Sequence, residues 1–599
     1  PSGDQAMLGA TTPRIETYAY DRTLRLMGAQ RPMGNFAATG GAFESRTYQY
    51  DGRGNRTQLE EDGFVYDLTS GTAPAVDQLT GWGSSSAGSL LKYSLAHDAD
   101  GRVTQKRWAA TMSGGPVYAL GFEYGQAVGV ATETVFRAVN VNGTYYNYFY
   151  DALGRRRLKS NPYGTTDEYF HSVSNRMLTD RGNNGLSTPI GHFTLDDYVW
   201  LAGRPVALVR GKFSAAWARQ PDSTGDCSRD GESVACGVYF PVTDHIGKPV
   251  VMLDASRRVT GAADTDPFGH VNRVTYNAET AHPYAHSTST TLASFSQPKE
   301  NASVQVRMRA RYHVVDTEPG ADFVRLVDPD TSSVLDSQSG ERRGRVTTPW
   351  VTPSNGNLSV SFASNASGLT SYQGAVVEGY EYQRYQTGAQ AFWIPLSFPG
   401  QYHDAETDLF ENWNRYYDPS AGRYLQPEPM LSSYPVPLAG YVYASSNPMF
   451  YYDPSGWEPI KTKYDTVEAA ALGGFAYLRE KEKIQLEFYE FAFSVLRIED
   501  KYVYTSPQKL TKGCTGGGLP PYSSAKAQCH THPLNCNEKF SRGDMDRSGM
   551  PQYRDVVFYM MYMGNTDGLG SGFVYEMVNG VPVQKPVRGG KISWEGVEW

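Results

Sequence analysis

The sequence predicts a mainly β protein: a long stack of short strand pairs, a β-sandwich inserted near its end, and a C-terminal α+β domain. Three observations carry this. Tyr (42) and Gly (61) are abundant in 599 residues, which favours strands and tight turns over helices. One short phrase, an aromatic-Asp pair followed by a Gly turn and Arg, returns many times along the first half. The pattern breaks at about residue 288 and again at about 458, which gives domains over 1–287, 288–376, 377–457 and 458–599.

The phrase reads YDGRGNRT at Tyr50, HDADGRVTQ at His97, YDALGRRR at Tyr150 and YDPSAGRY at Tyr417. Degenerate copies sit at Tyr20-Asp21 and Tyr66-Asp67. Asp and Gly supply the turn, and flanking alternation of aromatic or β-branched with polar residues supplies two strands. A unit this short cannot bury its own face, so the units must stack.

The stretch Gly422–Trp457 closes the repeat region. It holds two proline-framed acids, Glu428 in PEP and Asp453 in DPSG. Proline fixes φ and removes a donor, so each acid sits on stiff, turn-like backbone. Two carboxyls that share a proton are the working parts of aspartic-type peptide hydrolysis.

The landmarks YVWLAGRPVALV (from Tyr198), TDHIGKPVVMLDASRRV (from Thr243), DPFGH (from Asp266) and NRYYDPSAGRYLQPEP (from Asn414) follow in order. With the repeats and the DPSG, they resemble the core of the Rhs/YD-repeat family, which includes the C subunits of insecticidal toxin complexes. The resemblance implies a β-shell, or cocoon, wound around the C-terminal polypeptide. It also implies that the core cuts its own chain shortly after a DPxG motif, here between Trp457 and Glu458. Asp453 and Glu428 are the implied catalytic pair, with Glu428 standing where the family usually has Asp.

Residues 288–376 lack the repeat and carry longer strands, ASVQVRMRARYHVV, DFVRLVDP, NLSVSFAS and GAVVEGYEY, in a small β-sandwich pattern. Their order is similar to that of a CUB domain. That resemblance implies a calcium site at Glu318, Asp322 and Asn365, an oxygen-only set suited to a hard cation.

Beyond 458 the composition turns helical and then mixed. Asp465 to Glu468 ahead of AAALGGFAYLREKEK reads as a capped helix, followed by FYEFAFSVLR, DKYVYTSP, DVVFYMMYM and GFVYEMV as strands. Within CHTHPLNCNEKFSRGDMD, His530 and His532 are two apart, so a strand directs both imidazoles to one side. Two imidazoles and one carboxylate, with a position left for water, make a catalytic zinc set. The spacing H-x-H-P…S-x-x-D resembles the JAMM/MPN+ metalloproteases. The resemblance implies His530, His532 and Asp544 as zinc ligands and Ser541 beside the oxyanion or metal-bound water. It also implies a general base from an earlier strand. Among Glu482, Glu487, Glu490 and Glu499, Glu490 fits best because EFAFSVL occupies the place of the family's Glu-led strand. Cys529 and Cys536 flank the motif and read as structural, and GCTGGGLPP near Cys514 reads as a loop able to gate a cleft.

The net charge of -8 is mild, and basic and acidic residues balance in the C-terminal domain, which argues against a nucleic-acid partner. No run of about 18 apolar residues exists to span a membrane, and the N-terminus lacks the pattern of a signal peptide. The absence of an initiator Met leads us to expect a piece of something longer. Cys227 and Cys236 flank a short polar loop and either pair in an oxidising compartment or stay as two thiols.

The expectation is a secreted or target-cell-delivered toxin whose shell holds and releases, by its own aspartyl-type cut, a zinc protease or isopeptidase acting on protein. Its partners would be its own cleaved C-terminal fragment, an immunity protein and a secretion machinery. Two alternatives stay open: a cell-surface adhesion protein with no catalysis, or a toxin cargo with deamidase or nuclease chemistry.

Overall fold

The computed structural model describes residues 16–428 apart from connecting segments, the longest being 33–42, 126–134, 183–191 and 215–226. It further describes 440–453 and 456 and, beyond them, 466–475 without 469 and 473, 489–498, 501–504, 508–512, 525–532, 556–562, 573–578 and 581–582. The chain divides into two compact units. One is 1–427 with 439–449 and 454–456; the other is 428–438, 450–453 and 457–599.

The first unit is built on a 24-stranded sheet. From Thr17–Tyr20 to Val259–Ala262, successive strands pair antiparallel with the next, as Thr144–Tyr150 does with Arg156–Ser160. The repeated phrase makes the turns between them. Asp98 accepts the N–H groups of Asp100 (3.1 Å) and Arg102 (2.9 Å), and Arg102 Nε returns to the same carboxylate at 2.7 Å. Asp21, Asp51 and Asp151 likewise accept the N–H four residues on in their own turns. Gly54 and Gly101 sit at φ +92° and +82°, a conformation that costs glycine nothing and other residues strain. One expected copy is different: Asp67 lies inside the strand Phe64–Ser70 and takes a hydrogen bond from Gln58 at 2.9 Å instead of making a turn. Three further turns of this type, at Asp244, Asp254 and Asp266, lie inside the landmark segments.

Strand alternation puts aromatics on one face of this sheet. Trp108, Tyr118, Phe122, Phe136, Tyr148 and Tyr150 form one buried cluster with Leu409, Tyr416 and Leu425. The last three come from a small four-stranded sheet of Tyr402–Asp404, Leu409–Asn412, Arg415–Asp418 and Arg423–Tyr424, or from just beyond it. Phe136 stacks on Tyr416 at 4.1 Å between centroids, and Tyr417 donates to the Phe268 carbonyl at 2.8 Å. The segment 402–424 is therefore the internal prop of the repeat sheet.

The inserted region does form two layers. Ser289–Ser296, Asn357–Ala363, Phe323–Asp328 and Ser333–Gln338 make one sheet. It packs through Phe295, Val324, Leu326, Leu358, Val360 and Phe362 on Val304–Asp316 and Gly374–Gln386. Those two long strands belong to the 24-stranded sheet, through Ala262↔Arg384 and Arg273↔Tyr380. The expected boundary at 376 thus falls inside a strand, because continuing the backbone ladder satisfies hydrogen bonds that a separate module would leave at an edge.

The second unit holds a seven-stranded sheet. Tyr489–Ile498 is flanked by Lys501–Tyr504 and Ala525–His532 and also pairs with Gln508–Lys512. Ala525–His532 runs parallel to Val557–Tyr562, which pairs with Phe573–Val578. Helical residues within 467–475 pack Ala470, Ala471 and Phe475 on Phe493, Val495, Ala527 and Cys529. A Cβ on Gly474 would run into the Phe493 ring, so only glycine lets this helix approach so closely. The expected cap Asp465 lies outside the described residues.

Candidate functional site

The seam is assembled from short, stiff segments. Arg415, on the strand Arg415–Asp418, is 2% exposed and stacks on the Tyr424 ring, with its guanidinium carbon 3.6 Å from the centroid. Held there, it donates from Nη1 to the Gly440 carbonyl (3.2 Å) and from Nε to the Gly456 carbonyl. Gly456 adopts φ +68°, and a Cβ on it would meet the Asn412 carbonyl and, at 3.0 Å, the Arg415 nitrogen. The Gly456 carbonyl is thus gripped, and the residue's Cα is crowded by neighbouring backbone. Trp457 and Glu458 themselves lie outside the described residues.

Both expected acids are buried, Asp453 at 1% exposure and Glu428 at 9%, and both fall in the second unit. Arg415 is a functional candidate that composition and spacing did not single out. Its signal was present in NRYYD, one of the landmark segments, but no rule of spacing ties that Arg to a glycine 41 residues later.

In the second unit, His530 and His532 lie on Ala525–His532 at positions of the same parity, at the strand's C-terminal end. His530 is half-buried; Cys529 and Thr531, of the opposite parity, are buried. Burial pushes the Cys529 thiol well up, which opposes a metal-binding thiolate and suits a core residue. His530 pairs across the sheet with Ala492, two residues after Glu490, so the expected base lies on the strand next to the histidines. Only the backbone of Glu490 and His532 is described, and Ser541, Asp544, Cys514 and Cys536 lie outside the described residues. Among the described residues no group of three His, Cys, Asp or Glu side chains comes together in a way that could hold a metal ion; by residue type, two imidazoles and a carboxylate are a donor set that zinc accepts.

The expected calcium residues do come together. Asp322 is buried, and its carboxylate accepts the Asn365 N–H at 2.7 Å and the Tyr284 hydroxyl at 2.5 Å. The Glu318 N–H donates to that same hydroxyl at 3.0 Å. Protein donors thus engage both Asp322 oxygens and tie the segments of Tyr284, Glu318, Asp322 and Asn365 together. Cys227 and Cys236 form a disulfide with Cα atoms 4.8 Å apart.

No family model matches the chain. Over 72 residues it is 47% identical to the toxin protein Tse5 of Pseudomonas aeruginosa, a match covering 12% of this chain and 5% of that protein. Over 61 residues it is 44% identical to the probable deoxyribonuclease RhsA of Dickeya dadantii, covering 10% and 4%. It is also 36% identical over 95 residues to salivary gland surface protein 1 of Aedes aegypti, covering 15% and 3%. The matched part is thus a small fraction of each relative's length. Among solved structures, the TcdB2–TccC3 complex without its hypervariable C-terminal region aligns with 74% of this chain and 18% of its own, at 13% identity and a TM-score of 0.28. Two of these relatives carry toxin or Rhs names, and the large antiparallel sheet is the mainly β architecture that the resemblance implied. Among the described residues no helix is long and apolar enough to cross a membrane.

Proposed function

We propose that this chain is the core and C-terminal cargo of an Rhs-type toxin, and that it cuts itself after Trp457. The observation that supports this most is the buried Asp453, three residues ahead of a carbonyl that the immobilised Arg415 holds. In this reading Arg415 fixes the path of the chain into the scissile peptide. One acid takes a proton from water while its oxygen bonds to the Trp457 carbonyl carbon. The other, protonated, hydrogen-bonds the carbonyl oxygen and then supplies the proton that leaves on the Glu458 nitrogen. Water is consumed, and the products are a Trp457 carboxylate and a free Glu458 amine. Asp453 and Glu428 are the assigned pair. Intact mass of wild type against Asp453→Asn tests the assignment.

The cargo we read as a zinc-dependent amide hydrolase, with His530, His532 and Asp544 to hold the metal. When bound, zinc supplies a Lewis acid for an amide carbonyl and a low-pKa water. Glu490 is the base that would move the proton of that water, and Ser541 would orient the oxyanion. Zinc content of the purified chain, lost in His530→Ala, tests this part. Calcium at Glu318, Asp322 and Asn365 completes the cofactor reading, tested by a calcium-dependent rise in thermal midpoint that Asp322→Asn abolishes. Delivery into a target cell, an immunity partner and shell enclosure of the cargo belong to the same proposal. RhsA's name makes DNA hydrolysis the second reading, and plasmid nicking by the purified cargo would favour it over peptide hydrolysis.

A further inference from the structure

On one stretch of the repeat sheet the chain buries a carboxylate cluster that needs its arginines. Asp180, on Met177–Gly182, and Asp196, on His192–Leu201, face each other across paired strands and are fully buried. Arg210, on the next strand, engages Asp196 through two bonds, Nε–Oδ1 at 2.7 Å and Nη2–Oδ2 at 2.6 Å. Asp180 receives the Tyr198 hydroxyl at 2.9 Å, but its cation comes from outside the sheet: Arg229 Nη1 sits on its Oδ1 and lies 3.6 Å from Asp196, while Nη2 reaches Asp167 at 3.2 Å. Lys159 touches the outer side of Asp167 at 3.5 Å.

Arg229 belongs to no strand of the sheet. It lies two residues after Cys227, in the segment that the Cys227–Cys236 disulfide closes. The far side of that closure is well anchored: Val234 is buried among Tyr169, Met177 and Tyr198, and the Ala235 N–H donates to Gln390 at 2.7 Å. On the near side the Cys227 N–H reaches the Val234 carbonyl at 2.7 Å and Thr194 reaches the Ser228 carbonyl at 3.4 Å. The guanidinium also fills space that a side chain at position 182 would need, since a Cβ on Gly182 would collide with it. The disulfide therefore ties the arginine's segment to the anchored side of the loop.

We propose that Cys227–Cys236 is a redox latch for the Arg229 counter-charge, so that reducing it loosens the strands carrying Asp180 and Asp196. Cys236 is part-exposed and Cys227 buried, so a dithiol reductant attacks the Cys236 sulfur and Cys227 leaves as thiolate. The second thiol of the reductant resolves the mixed disulfide. Two electrons and two protons pass to the protein, giving two thiols, and the reductant becomes a cyclic disulfide. With the tether gone, Arg229 is free to leave, and a buried carboxylate pair stripped of one cation favours opening to water. Disulfides persist in oxidising compartments and are reduced in the cytosol, so the latch is shut outside cells and opens inside them. This stands on the loop and the cluster and does not depend on the toxin reading.

The test is backbone hydrogen exchange of the full chain, before and after a dithiol reductant, with thiol labelling mapped to Cys227 and Cys236. Once both label, amides of Met177–Gly182 and His192–Leu201 should exchange at least about tenfold faster, with Phe64–Ser70 and Leu79–Ser84 unchanged. Oxidised Arg229→Gln should already show the fast exchange and gain nothing from reductant. Unchanged exchange with both thiols labelled, acceleration spread equally to Phe64–Ser70, or wild type purified with both thiols free would each overturn the latch. The wild-type arm alone decides if the variant fails to fold.

Discussion

Arg156 and Asp404 meet at 2.5 Å, with 1% and 0% of their side chains exposed. The pair joins the repeat sheet to the prop segment 402–424. Burial pushes the Asp404 carboxyl up, but Arg156 and Lys159 outweigh it and hold it below the usual carboxylate range. Asp404→Asn leaves the guanidinium without its counter-charge, and we expect it to cost about 3–5 kcal/mol. A lower urea midpoint of the first unit checks this. Replacing both partners by apolar residues should cost much less than either single change.

The second prediction concerns pH. Burial, reinforced by Asp196 and opposed by Arg229, raises the Asp180 carboxyl to about 6. The folded state then holds this proton at pH values where the unfolded chain has lost it. The associated stability is fully present below the ordinary carboxylate range and is lost as pH rises toward 6. Subtracting the stability of Asp180→Asn from that of wild type at each pH should give a curve that falls by a few kcal/mol between pH 4 and 6. A flat difference would contradict the assignment.

The third concerns the turns. Gly101 has a left-handed φ, and a Cβ on it would come 2.6 Å from the Tyr441 hydroxyl, which itself donates to the Gly101 carbonyl. Gly101→Ala should cost about 1–3 kcal/mol. Gly52→Ala, at a position with nothing within 4 Å, should leave the thermal midpoint unchanged.

Much of this fold was legible because its information is local. Asp98, Gly101 and Arg102 write a turn within five residues, and alternation writes the strands on either side. The copy at Tyr66-Asp67 misled because four residues on it has Gly71, where Asp21 and Asp254 have Arg25 and Arg258, whose side chains bond back to the turn's carboxylate. Turns at Asp244, Asp254 and Asp266 were hidden because no Tyr or His precedes their Asp. What the sequence could not display is long-range: Arg415 on Gly456, Arg156 on Asp404 and Arg229 on Asp180 join residues 41, 248 and 49 apart. Of the proposed site residues, Asp453, Glu428, His530 and His532 came from motif order, whereas the bond of Arg415 to the Gly456 carbonyl could not be read there.

The fourth prediction is for the cargo. Purified wild type should carry about one zinc per chain, and both His530→Ala and His532→Ala should lose it. The Cys227→Ser/Cys236→Ser variant should retain it. Metal analysis after exhaustive dialysis checks this, and full zinc content in His530→Ala would remove that residue from the ligand set.

The most direct test of the central claim is intact mass of the purified chain under denaturing conditions, wild type beside Asp453→Asn. The account predicts two fragments in wild type that meet at Trp457–Glu458, and one continuous chain in Asp453→Asn. A wild-type chain that stays whole on prolonged incubation, or an Asp453→Asn chain cut at the same bond, would contradict it.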